Sequence, residues 1–217
     1  MYAVVGCLIG AAAGLGAWCA ARVWFARHPA RCGGTQPAST AALHEWRGAL
    51  LWAAGLALWG GYSGWQAAHI GKAALSVLFA GLLLLICVVD LRAQRIPDLF
   101  LALMLGLALV QALCLGRPAP AMALAGLVTG GALFYTLSLL RRGALGRGDI
   151  RLAAALGAML GLPDILPALA AGIFAGGAGA LWLNATRRAG RRDRMAYAPY
   201  LALGAWLVWT RSLGLWP

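Results

Sequence analysis

Acidic residues are what this 217-residue chain has least of: six Asp and Glu stand against eighteen Lys and Arg, for a formal net charge of +12. Charged residues of both signs make up only 11% of the chain, against about 25% in soluble domains, which excludes an ordinary water-soluble surface. Cysteine is sparse and unpaired in spacing. Cys7, Cys19, Cys32, Cys87 and Cys114 contain no C-x-x-C, and four of them fall inside apolar runs, which excludes a disulfide framework and a zinc site. A long polar linker is also missing, so residues 1–217 read as one domain. The positive excess invites a nucleic-acid reading. The arginines, however, stand in short clusters between apolar stretches, as in the cytoplasmic loops of membrane proteins, and that class is set aside.

What is present is hydrophobic sequence in quantity. Hydrophobic residues reach 62% and the mean hydropathy is +0.79. At roughly 20 apolar residues per crossing, helices are expected near 2–25, 48–67, 72–91, 98–116, 119–140, 150–162, 164–185 and 198–215. This is an all-α polytopic membrane bundle of about eight transmembrane helices. The first run lacks a basic segment ahead of it and leads directly into arginines, so it reads as a retained span rather than a cleaved signal. One sizeable loop is expected, over residues 26–47.

Placing both termini outside puts Arg22, Arg27, Arg31, Arg47, Arg92, Arg95, Arg141, Arg142, Arg147, Arg151, Arg187, Arg188, Arg191, Arg192 and Arg194 on the cytoplasmic side. Lys72, Arg117 and Arg211 remain on the other, a 15 to 3 split in the direction that retains Lys and Arg in the cytoplasm. Glycine spacings at Gly10–Gly14, Gly126–Gly130 and Gly172–Gly176 permit close helix approach and read as packing within the bundle rather than as a dimer face.

The six carboxylates divide into two kinds. Glu45 and Asp193 sit in arginine-rich loops and Asp164 follows Pro163 in a short turn, which suits solvated or helix-capping charges. Asp90 instead ends the apolar run AALSVLFAGLLLLICVVD, where an ionisable group is costly and functional by default. Asp149, in GRGDIRL, precedes an apolar stretch of about 13 residues, which at ~1.5 Å per residue covers only ~20 Å of a ~30 Å core. Its carboxylate is expected in a recess that water reaches. Two crossings separate Asp90 from Asp149, so both arrive on the cytoplasmic side.

Like charges brought that close share a proton, and one can then act as base toward water while the other donates to a carbonyl. The bland alternative pairs Asp90 with Arg92 or Arg95, and Asp149 with Arg147 or Arg151, as interfacial ion pairs. Gly146 and Gly148 favour the chemical reading, since they allow unusual backbone conformations and close approach, including an edge along which an extended peptide lies. Asp98 is expected to cap the helix that begins near Pro97.

The segments DLRAQRIPD, Asp90 to Asp98, and GRGDIRLAAALGAMLG, Gly146 to Gly161, resemble the two signature segments of type IV prepilin peptidases. In that family an aspartate precedes a short basic-polar stretch with Ile-Pro-Asn/Asp, here Ile96, Pro97 and Asp98. A second aspartate stands in Gly-x-Gly-Asp before a basic residue, here Arg151. AYAPYLALGAW, Ala196 to Trp206, is similar to the family's Pro-Phe-Gly-Pro-Phe/Tyr-Leu-Ala-x-Gly segment, with Ala196 and Ala198 in place of its proline and glycine. Arg27 and Pro29 resemble an Arg-x-Pro after the first helix.

The resemblance implies a multipass inner-membrane aspartic endopeptidase that removes basic leaders from prepilins or pseudopilins at the cytoplasmic face, with Asp90 and Asp149 as the catalytic pair. It implies no cofactor for proteolysis. Many members also methylate the new terminus with S-adenosylmethionine and carry two C-x-x-C pairs after the first helix. Residues 26–47 hold only Cys32, so no metal is expected and methylation is expected to be absent.

Three rivals remain open. A presenilin-like protease is similar in its GxGD but wants a Tyr-Asp pair. A transporter using both aspartates as ion ligands wants inverted repeats with interrupted helices. A noncatalytic assembly homologue is suggested by Ala196 and Ala198.

Overall fold

The computed structural model of the chain describes residues 2–27, 38–66, 70–140, 146–185 and 196–212. Among them are eight α-helices and no strand: α1 Tyr2–Arg27, α2 Ala38–Gln66, α3 Ile70–Ala93, α4 Asp98–Cys114, α5 Pro120–Leu140, α6 Arg147–Leu160, α7 Ile165–Ala185 and α8 Ala198–Ser212. Four are long and apolar enough to cross a bilayer, over Tyr2–Val23, Gly71–Ala93, Pro120–Leu140 and Ile165–Trp182. The all-helical membrane bundle expected from hydropathy is what the chain forms.

Two boundaries differ from expectation. α2 begins at Ala38 rather than near 48, so the expected loop over 26–47 is shortened from its C-terminal side. The reason is propensity: Ala38, Ala41, Ala42, Leu43 and Glu45 are strong helix formers that hydropathy alone scores as loop. Cys32 and the clustered arginines at 187, 188, 191, 192 and 194 lie outside the described residues. α6 starts at Arg147, three residues earlier than expected, which places Gly148 and Asp149 inside its first turn.

The chain divides into two compact units, Met1–Val88 and Val89–Pro217, and the break falls within α3. In the first unit α1 lies directly on α2. A methyl group on Gly6 or on Gly60 would overlap the carbonyl of the other, and one on Gly10 would overlap that of Leu56. Trp59 Nε1 donates to Ser76 Oγ at 2.8 Å and ties α2 to α3.

In the second unit the central element is α6, whose residues from Leu152 to Leu160 are buried except for Ala154. α5 packs on α6 through glycine: a methyl on Gly126 or on Gly157 would overlap the other's carbonyl, and one on Gly130 would overlap that of Ala153. The far end of α6 is fixed as well. Leu162 donates its N–H to Met122 O at 3.0 Å, and the buried Gln111 of α4 donates to Arg117 O at 2.7 Å and Met159 O at 3.3 Å. α7 and α8 pair along Gly172, Gly176 and Gly204, which puts the Gly126–Gly130 and Gly172–Gly176 spacings to use within the chain.

Candidate functional site

Asp90 lies in the last turn of α3 and is 5% exposed. The helix stops just beyond it: Gln94 takes a left-handed backbone, φ 48°, and donates its N–H to the carbonyl of Asp90 at 2.8 Å. This reversal frees the following segment to run through Ile96 and Pro97 into α4. The carboxylate of Asp90 accepts the backbone N–H of Ala198 at 3.1 Å. Ala198 is the first residue of α8. A helix N-terminus presents N–H groups without intrahelical partners and the positive end of the helix dipole, so the donor is matched to an anion.

Asp149 lies in the first turn of α6, outside the four spanning segments, and is half-buried. Its Oδ2 accepts the N–H of Gly146 at 3.2 Å, which closes the helix start from within. Burial, and after it the charge of Asp90, push the Asp149 carboxyl up to about 6, and the Gly146 N–H offsets part of that rise. The two aspartates are thus near enough for one to sense the other's charge, although sequence separates them by 59 positions.

The neighbouring motif residues take definite places. Ile96 faces Gly148: a methyl on that glycine would sit 3.3 Å from Ile96 Cβ. Close approach is therefore the role of Gly148. Unusual backbone is not the role of Gly146, whose φ of −69° and ψ of 148° suit any residue. What a methyl at Gly146 would crowd is Asp149 Oδ2, at 3.1 Å. Gly148 is helical and offers no free edge to an extended peptide, whereas Gly146 before it is extended.

Asp98 is corrected too. Pro97 stands at the cap position with no side-chain cap hydrogen bond, and Asp98 instead pairs with Arg151 across to α6. Arg151 is thereby directed to Asp98 rather than to Asp149. The pair lines, with Leu101, Leu105, Leu127 and Ala154 among others, an apolar groove of about 320 Å³ between α4, α5 and α6.

Tyr197 was not singled out from the sequence, and Ala198 only as a departure from the family's segment, not as a donor to Asp90. Tyr197 lies on Phe134 and Tyr200, with ring centroids 6.1 and 6.3 Å away, and burial followed by the charge of Asp149 raises its hydroxyl's pKa above the ordinary value. A main-chain donor such as Ala198 has no residue-type signature, so spacing alone does not reveal it. Among the described residues, no group of three or more His, Cys, Asp or Glu comes together as metal ligands do.

A helical membrane bundle with two carboxylates converging beside helix termini defines the class. Residues 77–181, a segment that includes both aspartates, match the type IV leader peptidase family. A curated relative, the prepilin leader peptidase/N-methyltransferase of Xanthomonas campestris pv. campestris, is 35% identical over 127 residues, covering 55% of this chain and 44% of that protein. The match thus spans less than half of the relative's length. No solved structure matches the chain.

Proposed function

We propose that the chain is an aspartic endopeptidase of the bacterial inner membrane that cuts the basic leader from type IV prepilins or pseudopilins at the cytoplasmic face, with Asp90 and Asp149 as its catalytic pair. The observation that carries this reading is the placement of Asp90 at the end of α3 and Asp149 at the start of α6 within reach of one another's charge, with burial first and the charge of Asp90 second raising Asp149 to about 6. A membrane protein with six acidic residues has little other reason to bring two of them together.

The chemistry follows from the surroundings of each group. Asp90, holding the Ala198 N–H, acts as the ionised base and takes a proton from water. The water oxygen attacks the scissile carbonyl carbon while protonated Asp149 donates its proton to the carbonyl oxygen, giving a neutral gem-diol. Collapse returns one hydroxyl proton to Asp149 and breaks the C–N bond. The departing amine takes the proton held on Asp90, which restores the starting pair. Gly146 and Ile96 with Gly148 fix the Asp149 turn, and the Asp98–Arg151 ion pair joins α4 to α6 beside it.

The relative's name includes N-methyltransferase. Methyl transfer is not part of the proposed activity, and no step of the proteolysis passes through a cofactor. The test is cleavage of a prepilin carrying a basic leader by purified protein, beside Asp149→Asn, with product masses recorded with and without S-adenosylmethionine. Cleavage by the wild type alone supports the reading, and a 14 Da increment would add methylation to it. Absence of cleavage from well-folded protein would remove the reading.

A further inference from the structure

α7 meets α8 through glycines on one face. Gly172, Gly176 and Gly179 are spaced four and three residues apart, so they line one side of the helix. The backbone of Tyr200 and Leu201 approaches Gly172, the ring of Tyr197 occupies the notch at Gly176, and the ring of Tyr200 that at Gly179. A methyl on Gly176 would come within 2.6 Å of Tyr197 Cε2. Phe134 and Tyr200 flank that ring. Tyr197 is also the residue immediately before Ala198, and its carbonyl accepts the N–H groups of Tyr200 at 3.1 Å and Leu201 at 3.3 Å. Tyr197 is thus both the ring seated against Gly176 and the acceptor that closes the first turn of α8. That turn carries the N–H bound to Asp90.

We propose that Gly176 is a positioning residue for the catalytic pair: the notch it leaves in α7 seats Tyr197 and so registers α8 to aim the Ala198 N–H at the Asp90 carboxylate. The inference rests on the peptidase reading for its kinetic test but not for its structural one. It extends that reading to Tyr197 and Ala198, which lie beyond the matched segment, residues 77–181. Only the main-chain N–H at 198 takes part, so alanine serves there as well as glycine.

Gly177 provides the control. It is the next residue on α7, and a methyl there meets nothing within 4 Å. Both Gly→Ala changes gain the same helix propensity, so a difference between them reports the notch. The full chain is purified in detergent, with helical circular dichroism and monodispersity checked for each variant. Two readouts are taken: hydrogen–deuterium exchange at the Ala198 amide, and kcat, KM and pH profile on a prepilin with a basic leader.

Gly177→Ala keeps wild-type values throughout. Gly176→Ala speeds exchange at Ala198 and lowers kcat roughly ten- to a hundredfold at unchanged KM. It also moves the acid limb of the pH profile upward, because the ionised carboxylate has lost a donor. Ala198→Pro, tolerated at a first helical position but lacking the N–H, reproduces the kinetic effect, and adding Gly176→Ala to it produces no further loss.

The proposal is overturned if Gly176→Ala matches Gly177→Ala in exchange, if its loss of rate leaves the pH profile unmoved, or if the two losses add. Wild-type protein that fails to cleave while Gly176→Ala still speeds exchange at Ala198 would overturn the peptidase reading and leave the registry of α8 standing.

Discussion

Ile96 of α3's exit segment lies against Gly148 of α6, so that a methyl on the glycine would sit 3.3 Å from Ile96 Cβ. The contact joins the two signature segments beside Asp149. Gly148→Ala is expected to be mild, since Ile96 yields by a few tenths of an ångström, whereas Gly148→Val overpacks the site at a cost of about 1–3 kcal/mol. Thermal unfolding in detergent of both variants checks the order. Equal stability of the two would mean that the contact does not constrain the turn.

Asp90→Asn and Asp149→Asn each remove a proton-transfer group at nearly constant shape. Each is expected to lower cleavage by at least about a thousandfold while leaving helical content and yield intact. Asp98→Asn loses an exposed ion pair with Arg151, worth about 1 kcal/mol or less, and should retain most of the activity. Comparable losses at all three positions would count against the assignment of the pair.

Asp149 is raised from 3.8 to about 6 by burial and by the charge of Asp90. A carboxyl raised on folding stabilises the fold below its unfolded pKa, and that contribution is lost as pH climbs through about 6. Cleavage that needs protonated Asp149 is expected to decline over the same rise. Asp90→Asn removes the neighbouring charge but keeps the burial, so the Asp149 carboxyl should titrate below 6 yet above 3.8. Carbon-13 NMR of the labelled carboxyl measures this, and an unchanged midpoint would mean that the aspartates are not coupled.

Gly157→Ala drives a methyl into the Gly126 carbonyl, whereas Gly106→Ala on α4 meets nothing within 4 Å. The first should destabilise by about 1–3 kcal/mol, and the second should be neutral or gain up to ~1 kcal/mol. Melting temperatures of the two variants decide the matter.

Much of the fold was legible because each crossing needs an apolar run, and the scarcity of acid residues made Asp90 and Asp149 stand out. Hydropathy did not mark where α2 begins, because Ala38 to Arg47 forms helix from residues that need no lipid. The partner of Asp98 was hidden for another reason. Whether an aspartate after proline caps its own helix or reaches Arg151 depends on how α4 lies against α6, a tertiary relation that local sequence does not carry. The Ala198 donor was hidden more completely, since every residue but proline has an N–H.

Gln94 gives the loop after Asp90 a property of number. Its left-handed backbone halts α3 four residues past the aspartate, and each helical residue turns the chain by about 100°. One residue inserted or removed between the two would swing the carboxylate a quarter-turn or more around the helix axis relative to the exit segment, away from the α8 terminus. The interval is a gauge whose length matters more than its letters, so substitutions within Leu91, Arg92 and Ala93 should be borne far better than any change in their count.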